Sequence, residues 1–141
     1  MAGGAPDQEN PPRIALAQIG IKRDQAPERW RIAWLVENRG SDSLKIESVR
    51  LPHGQFKSGE VRFDPALLLP PGKSAEFAVS VCCHEPPGLV IENAFVIFYA
   101  VWLGEPCQIF ARLRVNVSAA GQPEAVTESI TAQRVGFSGA A

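Results

Sequence analysis

The sequence predicts an all-β protein, an immunoglobulin-like antiparallel β-sandwich of seven to eight strands. Three observations predict it. Apolar and polar residues alternate in short segments, Gly/Pro-rich turns separate those segments, and no stretch carries a convincing helix of three turns. Hydrophobic residues make up 45% of the 141 residues and charged residues 21%, enough apolar surface for one packed domain.

The chain divides into four parts. Residues 1–12, MAGGAPDQENPP, read as a flexible N-terminal arm. Residues 13–118 hold the sandwich. Residues 119–137 form a C-terminal extension that adds a strand, covers an edge or hangs free, and residues 138–141 read as a disordered tail.

Within the sandwich, Arg13 to Lys22 gives the first strand, with a parity change near Ala17-Gln18 that predicts a bulge or a weak edge. Trp30 to Asn38 follows. Trp30, Ile32, Trp34 and Val36 share one face, and two tryptophans on one short strand mark the centre of the core. Asn38 to Ser43 is a polar turn. Leu44 to Leu51 is a strand of imperfect parity, ended by Pro52-His53-Gly54. Phe56 and Val61 to Phe63 suggest a short strand pair around residues 57–60, and Leu67 to Leu69 meet a stop at Pro70-Pro71-Gly72.

Ser74 to Cys83 alternates cleanly, with Phe77, Val79, Val81 and Cys83 on one side. Leu89 to Trp102 is apolar on both parities, the pattern of a strand covered on both faces or changing sheets. Phe95, Ile97, Tyr99 and Val101 face one way; Val96, Phe98 and Trp102 face the other. Ile109 to Val117 gives the clearest alternation. Pro123 to Gln133 fits a helix or a strand. Sandwich packing buries one face of each such sheet, and a partly closed barrel is the second solution.

Two stretches, WRIAWLVENRGSDSLKIESVRLP and LLPPGKSAEFAVSV, resemble bacterial immunoglobulin-like or fibronectin-like accessory domains. The matching positions are Val36-Glu37-Asn38-Arg39-Gly40 and Pro71-Gly72-Lys73-Ser74 with Phe77, Val79 and Val81. The likeness spans about residues 13–118 and implies a spacer, accessory domain or binding surface. The antibody arrangement of two cysteines flanking a tryptophan is not met, because Trp34 precedes all three cysteines.

The net charge is −1, from 14 basic and 15 acidic residues. The basic clusters, Lys22-Arg23 and Arg112/Arg114, are too short for a nucleic-acid surface. No cationic leader precedes an apolar run, and the longest such run, Ala94 to Leu103, is too short for a membrane helix. The expectation is a soluble, cytoplasmic protein that uses neither nucleic acid nor membrane as partner.

Three cysteines, Cys82, Cys83 and Cys107, form no disulfide framework. The sequence leaves a Cys83–Cys107 bridge as an alternative to reduced thiols. Cys83, His84, Cys107 and His53 also raise a metal-binding or cysteine-dependent enzyme site. Adjacent strand residues point to opposite faces, and Cys-x₂-Cys spacing is absent, so no metal, cofactor or catalytic residue is assigned. Glu37, Glu47, Glu76 and Glu92 read as solvent-facing strand positions. The remaining alternative is a carbohydrate or small-ligand domain using exposed aromatics, with Trp102 as its candidate.

The leading expectation is a non-enzymatic protein-interaction or scaffold module, acting through a sheet face or edge on a protein partner or a second copy. Its candidate partner-binding residues are Phe110, Arg112, Arg114 and Asn116, with Trp102. The first four share one strand face and combine an aromatic anchor with two guanidinium groups, a mixture enriched in protein interfaces.

Overall fold

The computed structural model describes residues 11–135. The expectations for residues 1–10 and 136–141 lie outside the described residues. The chain forms eight strands: β1 Ile14–Arg23, β2 Arg29–Asn38, β3 Leu44–His53, β4 Phe56–Leu69, β5 Ser74–Cys82, β6 Val90–Trp102, β7 Glu105–Val117 and β8 Pro123–Arg134. There is no helix among the described residues, and so none long and apolar enough to cross a membrane.

All strands belong to one antiparallel sheet in the order β1-β2-β5-β4-β3-β6-β7-β8. The fold is therefore all-β, but the two separate sheets expected of a sandwich are joined into a nearly closed barrel. β4 makes the join. It is one strand of 14 residues, where the sequence suggested short pieces. Its register against β3 slips from Ile46↔Leu67 to Ser48↔Arg62, so residues 63–66 have no partner on β3. Slack of this kind bends a strand and increases its twist. At its start β4 reaches β5 through a single pair, Lys57↔Cys82, and in the slack stretch it places the Phe63 ring 5.4 Å from Phe77.

The interior follows from parity. Ile32, Trp34 and Val36 of β2, Val79 and Val81 of β5, Leu44 and Ile46 of β3, Phe98 of β6 and Ile109, Leu113 and Val115 of β7 all face one core. Trp34 meets Phe56 edge-on at 6.5 Å. Its indole N–H is a buried donor without a hydrogen-bond partner, a cost the surrounding apolar contacts must exceed. Arg23 stacks over Trp30 at 4.7 Å from the ring, covering the indole where β1 ends.

Pro123–Arg134 resolves the helix-or-strand ambiguity in favour of a strand. β7 supplies a full-length pairing edge, and Ala125, Ile130 and Ala132 of β8 then pack against the core while Val126 faces outward. At the far side of the sheet, the Gln18 amide of β1 donates to the Pro123 carbonyl at 3.2 Å and accepts from the Ala125 N–H at 2.7 Å. The Thr127 hydroxyl donates to the Leu16 carbonyl at 2.9 Å. Side chains thus bridge β1 and β8 where no backbone ladder does.

Turn chemistry fixes the strand ends. Asn38 is 2% exposed and works as a clamp. Its amide donates to the carbonyls of Asp42 and Leu69, both at 2.8 Å, and accepts from the Gly40 N–H at 2.8 Å. One side chain therefore ties the β2–β3 turn to the end of β4. The β6–β7 hairpin turns on Leu103-Gly104, with φ of 53° and 75°. Two positive φ values give the tight hairpin turn whose twist matches its strands, and a leucine there costs about 1 kcal/mol.

Candidate functional site

The candidate surface lies on the outer face of β6 and β7. β7 buries Ile109, Ala111, Leu113, Val115 and Val117, which forces Phe110, Arg112, Arg114 and Asn116 outward. β6 brings a second outward row beside them: Phe95 lies opposite Arg112, Ile97 opposite Phe110 and Tyr99 opposite Gln108. The Phe95 and Phe110 rings meet at 6.5 Å and 88°, an edge-to-face pair. Both are half-buried, while Ile97 between them is 6% exposed despite facing outward. The covered Ile97 makes the floor, and the two rings stand over it.

Arg112 and Arg114 continue the row beyond Phe110, with Arg112 opposite Phe95 and side chains 45% and 49% exposed. Arg112 lies 3.9 Å from Glu128 of β8, and Arg114 lies 3.8 Å from Glu92 of β6. Exposed pairs of this length are worth between zero and about 1 kcal/mol, so neither guanidinium is held firmly by its carboxylate. Asn116 is exposed at the end of the row, between Val90 and Glu124.

Trp102 is not part of this surface. It is 4% exposed, on the inner parity with Val96 and Phe98, and paired with Leu44. The sequence offers Trp102 as an exposed aromatic, but parity along β6 dictates burial. The exposed residue at that corner is Leu103, which with Leu68, Val101 and Lys45 lines an open notch of about 450 Å³. Sequence reasoning missed Phe95 and Ile97 as members of the site. Their shared parity was visible, but their pairing with Arg112 and Phe110 needed the register.

The cysteine and histidine positions are not brought together. Cys107 sits near the β6–β7 hairpin, opposite Ala100, whereas Cys83 follows β5 at the other end of the barrel, where its N–H bonds the Glu28 carbonyl at 3.0 Å. All three cysteines are free, so the Cys83–Cys107 bridge is not formed. His84 is exposed, 3.8 Å from Glu28, and His53 accepts a bond from the Gln55 N–H within its own turn. Among the described residues no three His, Cys, Asp or Glu side chains are grouped to hold a metal. Burial pushes the Cys83 thiol up to about 11, with Glu85 and Cys82 adding to the effect. Burial likewise pushes Cys107 up to about 11, against the opposing charge of Arg134. Both shifts disfavour the thiolate, opposite to what a cysteine nucleophile needs.

No protein-family model and no curated protein matches the chain. Among solved structures, it is similar to an X-ray structure described as Northeast Structural Genomics Consortium target SoR45. The identity is 14% and the TM-score 0.30, over 91% of this chain and 88% of that one.

Proposed function

We propose that this protein is a non-enzymatic interaction module that binds a protein partner through the outer face of β6 and β7. The observation that carries it is the half-exposed Phe95–Phe110 pair with two arginines beside it along β7, whose carboxylate contacts are long and solvent-facing. Partly exposed aromatics offer apolar area at low ordering cost, and guanidinium groups beside them supply directional bonds. The strand order favours an immunoglobulin-like ancestry for the module. β1-β2-β5 and β4-β3-β6-β7 would be its two sheets, here linked through one pair and extended by β8.

The test is affinity capture from the source organism with the intact chain, followed by titration of the purified partner. Replacing Arg112→Glu together with Arg114→Glu should weaken binding at least about tenfold with an unchanged melting curve, since like charges would replace attractive ones. A folded double variant that binds as tightly as the parent removes this surface.

A further inference from the structure

The opposite outer face, carried by β1, β2 and β5, has a different design. Along β2 the outward residues run Arg29, Arg31, Ala33, Leu35, Glu37, from cationic through apolar to acidic. β1 and β5 keep the same polarity. Lys22 and Ser80 flank Arg31, Gly20 and Ala78 flank Ala33, Ala17 and Glu76 flank Leu35, and Ser74 lies beside Glu37. One end therefore gathers Lys22, Arg29 and Arg31, and the other gathers Glu37 and Glu76.

The cationic end is only partly neutralised. Lys22 and Arg31 are direct cross-strand partners, and like charges set opposite each other are destabilising. Among the described residues neither of them, nor Arg29, forms an ion pair. The nearby carboxylate, Asp24, is bound by the Ser80 hydroxyl at 2.6 Å, and its acidity is raised by that bond, by the Gln25 N–H and by the two arginines. At the acidic end Glu37 is held by Arg39 at 3.0 Å, while Glu76 is exposed and in no ion pair among the described residues.

The middle of the face combines a hollow with a projection. Gly20, Ile21, Ala33 and Ala78, with Lys22 and Arg31, line a shallow trough of about 300 Å³. Beside it the β1 bulge leaves Ile19 without a cross-strand partner and 47% exposed.

We infer that this face binds a second copy of the same chain in a two-fold dimer with antiparallel strands. The two-fold axis would run along the Gly20–Ala33–Ala78 row. That placement sets Arg29 of each copy over Glu37 of the other, brings Arg31 over Leu35 beside Glu76, and puts Ile19 at the trough. A parallel arrangement would stack cations on cations, so charge selects the antiparallel one. Three strands about 4.8 Å apart and some 30 Å long bury only about 1,000 Å² in total, the low end for a specific interface. The dimer is therefore a reversible one, weakened by salt. It leaves the β6–β7 face of each copy free, so dimerisation and partner binding are separable.

The experiment is sedimentation equilibrium of the full chain over a range of concentrations, at low and high salt, with two single variants. Arg29→Glu and Glu37→Arg should each weaken self-association about tenfold or more, because each brings like charges together across the axis. An equimolar mixture of the two variants should dimerise again, since each then supplies the charge the other lacks. A parent chain that stays monomeric at high concentration overturns the inference. So does a dimer that both variants leave intact, or a mixture that fails to associate while both variants are folded by circular dichroism.

Discussion

The sheet comes close to closing at two seams, and the seams are held differently. Between β5 and β4, one backbone pair is followed by aromatic packing: Phe77 meets Phe63 at 5.4 Å and Phe98 at 5.8 Å, both edge-to-face. Asn38 reinforces the same seam through the Leu69 carbonyl. Between β1 and β8, two polar side chains, Gln18 and Thr127, substitute for the missing ladder. The first seam is dry and depends on apolar area; the second is partly wet and depends on hydrogen bonds. Burial of a large aromatic is worth several times a net hydrogen bond, so the barrel should open first between β1 and β8.

Breaking the aromatic seam has the largest expected effect. Phe77→Ala removes a ring that touches two others and leaves a cavity, at about 3–5 kcal/mol. Urea denaturation would read that loss as a lower midpoint. Asn38→Ala comes next, at about 2–4 kcal/mol, because it leaves the buried Leu69 carbonyl unpaired as well as freeing two turns. Gln18→Ala at the other seam should cost only about 1 kcal/mol globally. Its mark would be local: faster hydrogen exchange in Leu16 to Gly20 and in Ala125 to Thr127, with β3 and β6 unchanged. Equal protection of both seams in the Gln18 variant would erase the distinction.

Alkaline pH gives the smallest and most diffuse effect. The folded Cys83 and Cys107 keep their protons up to about 11, whereas their ordinary value is 9.0. Within that window the unfolded chain binds fewer protons than the native one. Stability from this source is complete below about pH 9 and is lost as pH rises through about 11. The decline of the urea midpoint over this window should be shallower in a Cys83→Ala/Cys107→Ala variant than in the parent.

The two outer faces repeat the theme. On β6 and β7, aromatics sit beside arginines that each have a carboxylate nearby; on β1, β2 and β5, Lys22, Arg29 and Arg31 form no ion pair among the described residues and the centre is a shallow trough of small residues. The first is the face proposed for a different protein, the second the face proposed for a second copy.

Much of this was legible in the residues. Alternation located the strands, the Trp30/Trp34 face marked the core, and the parity change near Ala17-Gln18 appears as the β1 bulge between Gln18 and Gly20. The parity of Ile109 to Val117 put Phe110, Arg112 and Arg114 outward before any register was known. Parity is a local property, set by the two-residue repeat of an extended chain, and sequence reports it directly. Register and closure are not local. The Lys57–Cys82 pair that joins two would-be sheets, the pairing of Phe95 with Arg112, the burial of Trp102 beside an exposed Leu103 and the separation of Cys83 from Cys107 all depend on which strands meet and in what alignment. Those alignments are chosen by packing many side chains into one shared core, so only the tertiary structure decides them.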